Sequence, residues 1–295
     1  MSKKVYTNNS SQKDFIRSKW IEFAKEIYQG NSEDFGILTF PAQEMQDLHL
    51  FNKYGFIQWE EVETESTKGE YNYRVVRGKI RCFEKNGAIQ RYLSQKLIAA
   101  KVEGDFFPYI AANYSKIISG KDKTFPVDVV NLDFDGRLQP NEKYPFEAAI
   151  KYIFEFQSRH KKDFSLFLTW PITEHEDMAE YKDLLKNIIE TNLADPSAIK
   201  FKDIFESFFE SINDLGYEKK SVIGVSKIIF KKASQNLYAL KRNEFFVYGG
   251  NKVRKRMVSL LFNFSFDGKN GTENIIYHKD VVNSLLTVVD VNELP

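Results

Sequence analysis

The stretch FPVDVVNLDFDG, residues 125–136, constrains the fold more than any other part of the chain. Its unbroken apolar, β-branched run has the character of a strand buried on both faces, as a central strand of a parallel sheet must be. Two carboxylates, Asp133 and Asp135, end it. Ionised acids are costly in a core without partners, so these belong at the strand's carboxyl end, facing solvent or a ligand. In open α/β sheets, ligands bind beyond those ends.

The rest of the chain supplies neighbours for such a strand. After a flexible lead over residues 1–11, Asp14 to Gln29 repeats apolar residues at helical spacing and stops at Gly30. FGILTFP (35–41) reads as a strand broken by Pro41, AQEMQDLHLFNKYG (42–55) as a helix, and QWEEVETE (58–65) as a strand with acids at its end. Residues 66–85 fit either a strand or an inserted hairpin. A helix over 86–97, a strand running into Gly104 and Asp105, and a helix over 107–119 lead to the central strand. Beyond it come a helix at 147–160, the strand DFSLFLTWP closed by Pro171, and helices near 176–193, 201–214 and 221–236. Two strands, 243–250 and 254–266, joined by a short connection predict an antiparallel hairpin, and the tail 272–295 adds a short helix. Alternation of this kind predicts a mostly parallel sheet with helices on both faces.

Composition narrows the class. The 295 residues carry 42 Lys and Arg against 41 Asp and Glu, so no global field draws the chain to a polyanion and any nucleic-acid contact needs a local patch. Cys82 stands alone, which excludes an internal disulfide framework and a cysteine-based zinc site. The polar N-terminus lacks a secretory pattern and no apolar run reaches membrane-helix length, so a cytoplasmic location is expected.

The order of elements resembles the class I S-adenosylmethionine-dependent methyltransferase superfamily, in which five parallel strands alternate with helices and a sixth and seventh form a closing antiparallel pair. That resemblance implies a Rossmann-like, mostly parallel seven-stranded sheet over residues 35–266, preceded by a lead and packing helix (1–34) and followed by a tail (267–295). It implies S-adenosylmethionine as cofactor. The turn after strand one, TFPAQEMQD, has no glycine where the family usually has several. Thr39, Pro41 and Glu44 would take the methionine end there, the following helix offering its free amide groups; a plain strand-to-helix turn is the alternative. Glu63, taken at the end of strand two, would hold the ribose hydroxyls, unless it is a surface acid. Asp105 and Phe106 would meet the adenine, unless Gly-Asp is an ordinary turn and helix cap. NLDFDG is similar to the acid-aromatic loop of methyltransferases that modify RNA bases, without their proline; Asp133 and Asp135 would serve the acceptor as catalytic groups, or Asp133 merely closes a turn.

Other readings stay open. The same fold serves as a non-enzymatic scaffold when its site is incomplete, with Tyr71, Tyr73 and Phe83 as a partner surface. Paired acids at Asp133 and Asp135 also suit a metal-dependent nuclease. The connection GGNKVRKR gathers Lys252, Arg254, Lys255 and Arg256 into a basic tip for nucleic-acid phosphates, or into a solvated turn.

Overall fold

A computed structural model of the chain describes residues 11–28, 34–63, 71–134, 144–172, 217–249, 256–268 and 289–291, with isolated positions besides. The elements run α1 (Ser11–Ile27), β1 (Gly36–Thr39), α2 (Gln46–Lys53), β2 (Gln58–Glu63), β3 (Tyr71–Arg77), β4 (Lys79–Phe83), α3 (Gly87–Lys96), β5 (Leu97–Ile98) and β6 (Lys101–Glu103). There follow α4 (Phe106–Ile118), β7 (Val129–Asp133), β8 (Pro140–Asn141), β9 (Tyr144–Pro145), α5 (Phe146–Arg159), β10 (Phe164–Ile172), α6 (Tyr217–Gln235), β11 (Tyr238–Tyr248), β12 (Arg256–Phe266) and β13 (Val289–Asp290).

Eight of these strands form one sheet in the order β13-β11-β12-β10-β7-β1-β4-β6. β7 pairs in parallel with β1 on one side and β10 on the other, and β1, β4 and β6 continue the parallel set. β12 runs antiparallel to both β10 and β11. The expected parallel sheet with a closing antiparallel pair is therefore present, with β13 as an eighth strand where the tail was expected to be helical.

Alternation along the strands divides the core into two layers. Leu38, Val130, Leu132, Leu166 and Leu168 face α4, α5 and α6 on one side. Ile37, Val129 and Phe167 face α1 and α2 on the other. Trp20 of α1 stacks on Phe167 at 5.8 Å, and Phe23 meets the same ring edge-on at 6.2 Å. Such aromatic pairs add roughly 0.5–1.5 kcal/mol each beyond the area they bury. Asp128, 2% exposed, accepts the Gly36 N–H at 2.8 Å and pairs with Lys162 at 2.6 Å, so one carboxylate clamps the amino ends of β1, β7 and β10.

Four expectations need correction. The strand at 58–63 does not enter the main sheet: β2 pairs antiparallel with β3, and with β5 they form a separate three-stranded sheet. The second position beside β1 belongs to β4, which lies inside the stretch that fitted either a strand or a hairpin. Pro171 does not end β10; it sits in the last pairs of the strand, opposite Met257. The helix expected from residue 42 begins only at Gln46, after a turn in which Met45 adopts φ 49°. The helices expected at 176–193 and 201–214 lie outside the described residues.

Gly78 is the joint between the small sheet and the main one. Its φ is +84°, and a Cβ there would stand 2.9 Å from Ile57 Cγ2. Both the left-handed backbone and the crowding exclude a side chain. Gly78→Ala is expected to lower stability by about 1–3 kcal/mol, read as a lower urea midpoint at unchanged m-value. An unchanged midpoint would contradict this account of the joint.

Candidate functional site

Because β1, β4, β6, β7 and β10 are parallel, their carboxyl ends share one rim. The chain visits β4 and β6 on one side of β1, then β7 and β10 on the other, so the β1–β7 gap is the topological switch point. Three acids stand along the rim. Glu84 follows β4; its N–H donates to the carbonyls of Glu103 and Gly104 at 3.1 and 3.2 Å, and its carboxylate accepts the Asn86 N–H at 2.7 Å. Asp105 follows β6 and caps α4, accepting the Phe107 N–H at 3.2 Å. Asp133 closes β7.

The pleat sends successive residues to opposite faces at this rim. On the α4 face, Phe40 after β1 meets Phe134 after β7 edge-on at 5.4 Å, and Phe134 stacks on Phe107 at 6.0 Å. Phe106, expected to cover a base, is 2% exposed and packs against Phe40 and Phe83 at 5.3 and 5.0 Å. Phe40, Phe107 and Phe134 remain half-buried, so their rings form the visible wall of the switch point.

On the α1 face the rim is polar. Asn131 donates to Thr39 Oγ1 at 3.3 Å and to Asp47 Oδ2 at 2.9 Å. Arg17 approaches Asp47 at 3.5 Å, and Lys13 pairs with Asp133 at 3.4 Å. Burial raises the Asp47 carboxyl to about 6, helped by the nearby Asp133 charge and opposed by Arg17 and Lys13. Burial and the same two acids push the Tyr248 phenol well up, against Arg17. The buried Asn131 Oδ1 and Arg17 Nε have no hydrogen-bond partner among the described residues. Buried polar groups are normally satisfied, so this pocket of charge has unused bonding capacity.

The sequence-derived site residues fare unequally. Asp105 and Asp133 reach the rim. Thr39 reaches it but is fully buried and bonded to Asn131, while Pro41 is buried and Glu44 exposed. Glu63 is opposite Tyr71 in the small sheet and so does not end a main-sheet strand; that position is Glu84. Asp135 lies outside the described residues. Phe83 is 3% exposed and Tyr73 packs on Trp59 and His49, so of the three expected surface aromatics Tyr71 alone is well exposed, at 42%. Lys252, Arg254 and Lys255 lie outside the described residues, and Arg256 is engaged by Glu218 and Asp290. Among the described residues no three metal-binding side chains converge.

Sequence reading missed Glu84, Asp47 and Arg17. Gly78 was the available signal for Glu84: it splits YNYRVVR from KIRCF and leaves the acid at the end of the second strand. No local pattern marks Asp47 or Arg17, which meet only through α1–α2 packing.

No family model matches the sequence, and no curated protein matches it. Among solved structures, the chain is similar to a TYW2 from M. jannaschii in complex with AdoMet, at 12% identity and TM-score 0.36, covering 88% of this chain and 79% of the other. It is also similar to a SAM-dependent methyltransferase from Methanosarcina mazei, at 10% identity and TM-score 0.34, covering 82% and 95%. Likenesses this loose carry no argument; the architecture rests on the strand order and pairing themselves.

Asp47 makes stability depend on pH. Its folded value near 6 lies above the ordinary 3.8, so the folded state holds the extra proton between them. Its contribution is full below about 4 and is lost as pH rises through about 6, on the order of 2–3 kcal/mol. Relative to Asp47→Asn, the wild type is expected to lose stability between pH 4.5 and 7, measured by urea unfolding. A constant difference across that range would refute the assignment.

Proposed function

We propose that the chain binds S-adenosylmethionine along the carboxyl rim and passes its methyl group to an acceptor held at Asp133. The observation that carries this reading is the set of acids after β4 and β6, Glu84 and Asp105, placed beside the β1–β7 switch point. A carboxylate at the end of the second strand suits two adjacent ribose hydroxyls, since its two oxygens match two donors. Asp105 uses one oxygen as a helix cap. A carboxylate has acceptor capacity beyond one bond, available to an exocyclic amine. The half-buried rings of Phe40, Phe107 and Phe134 suit the flat face of a base.

The fit is weakest at the methionine end. Phe40 occupies the first turn, where the family's glycines permit close backbone approach, and it rests on Phe134. Lys13 and Arg17 are the nearby cations that would meet an amino-acid carboxylate. When bound, the cofactor supplies an electrophilic methyl group. Asp133, released by Lys13, would orient an amine acceptor or take its proton, and much of the rate would come from holding the reactants in line. A nucleic-acid base is the acceptor we propose, following the resemblance of NLDFDG to base-modifying loops.

A second reading is favoured by the same rings and ion pair: Phe40 on Phe134 and Lys13 on Asp133 fill the rim with the protein's own groups, as in a scaffold without a cofactor. Calorimetric and thermal-shift titration with S-adenosylmethionine and its demethylated product separates the two. Binding is expected, with Glu84→Ala and Asp105→Ala each weakening it about tenfold or more, as loss of a charge-assisted hydrogen bond predicts. No heat and no stabilisation at millimolar ligand would leave the scaffold reading standing.

A further inference from the structure

A cavity of about 620 Å³ lies away from the switch point, at the β6 edge of the main sheet, on the face covered by α4. Five cations line it: Arg81 on β4, Lys101 on β6, Lys116 on α4, and Lys121 and Lys123 in the loop that leads to β7. Its carboxylates are Glu103 and Asp122. Lys101 pairs with both, at 3.5 and 3.1 Å. Burial would raise the Asp122 carboxyl, yet hydrogen bonds from Tyr109, Thr124 and Lys101 hold it down to about 2. Asp122 is thus fixed by its own partners. Lys116, Lys121 and Lys123 remain exposed, and Lys116 donates to Asn113 Oδ1 at 3.2 Å.

From these observations we propose that the groove is a track for the phosphodiester backbone of a nucleic acid. The cations come from four separate elements around one open depression, which suits a chain of charges better than one small anion. Four of them are lysines, point charges that fit phosphates without fixed geometry. Carboxylate recognition favours a free arginine fork, but the groove's one arginine donates to the carbonyls of Ile80 and Lys123, both at 3.2 Å. That bond braces the Lys121–Lys123 loop against the sheet. The loop SGKDK, residues 119–123, offers no apolar side chain for insertion into a lipid surface. The chain's overall balance of charge makes this local concentration the relevant field.

The groove also leads somewhere. Arg81 and Lys101 are register partners, and two residues further along the same strands and face stand Phe83 and Glu103, one residue before Glu84 and two before Asp105 of the rim. A strand rises about 3.3 Å per residue, so the rim acids lie about 10–13 Å along the strands from the Arg81 and Lys101 pair of the groove. Groove binding goes beyond the cofactor reading and stands without it, because none of these cations belongs to the proposed cofactor site.

The test uses the full chain and a labelled single-stranded RNA of about 20 nucleotides, followed by fluorescence anisotropy between about 50 and 200 mM salt. Binding is expected at low salt. The triple variant Lys116→Glu, Lys121→Glu, Lys123→Glu is expected to weaken it at least tenfold and to reduce the salt slope by about 2, for three lost phosphate contacts. A matched control, Lys25→Glu, Lys53→Glu, Lys231→Glu, carries the same charge change on exposed lysines elsewhere and is expected to retain binding. Absence of binding by the wild type, equal binding by the groove variant, or equal loss in the control overturns the proposal. So does binding to phosphatidylserine vesicles in place of RNA. Unchanged S-adenosylmethionine titration and thermal unfolding of the groove variant show that fold and rim are intact; failure of cofactor binding alone leaves the groove result unaffected.

Discussion

Parallel pairing of β7 on both of its edges is the constraint from which the remaining architecture follows. A strand with hydrogen-bonded neighbours at β1 and β10 has no edge left for solvent, and its two faces must both be covered. Parallel neighbours cannot be joined by tight turns, so every link to β7 has to cross over the sheet and deposit a helix on one face or the other. α4 and α5 cover one side and α1 with α2 the other, which is why both faces of β7 are dry. The same geometry aligns the carboxyl ends of five strands, so the rim is a consequence of the pairing and not a separate invention.

The two faces of that rim differ in chemistry. On the α4 side the wall is aromatic and held by ring contacts among Phe40, Phe106, Phe107 and Phe134. On the α1 side it is ionic and buried, with Asp47 between Arg17 and Asn131 and with Asp133 close by. Taking charges out of water is costly, and a pair of this kind is weak evidence for stability. The helix that brings Arg17 and Lys13 there is held in place elsewhere: Arg242 of β11 pairs with Glu22 and Glu26 and lies 4.3 Å over the Phe23 ring. Packing at one end of α1 thus supports electrostatics at the other.

The legible part of this molecule was whatever a short window of residues carries. VVNLD reads as a buried strand, SLFLTW as its neighbour, and the helical spacing after Ser11 as α1. Asp133 was legible for the same reason, since it closes an apolar run, and Asp105 because a Gly-Asp turn follows a strand-like stretch. Glu63 was misplaced because QWEEVE alternates as convincingly as any core strand, and nothing local tells an inserted sheet from the main one. A strand's partners are fixed by pairing over long sequence separations, a property no window contains. The aromatic rim shows the same limit. Phe40, Phe106 and Phe134 are 66 and 28 residues apart in sequence, and only the sheet brings their rings into contact.

Sequence alone therefore determined the layered class of the fold, through apolar periodicity and the need to cover a doubly buried strand. It also determined that acids stand where apolar strands stop, because ionised groups do not remain unpaired in a core. Tertiary structure decided which acids face one another, that Glu84 and not Glu63 closes the second strand, that α1 delivers Lys13 and Arg17 to the rim, and that lysines from a helix and a loop meet at the β6 edge. The physical reason is range: periodicity and capping act within a few residues, whereas electrostatic and ring contacts depend on distances in space that only the completed sheet sets.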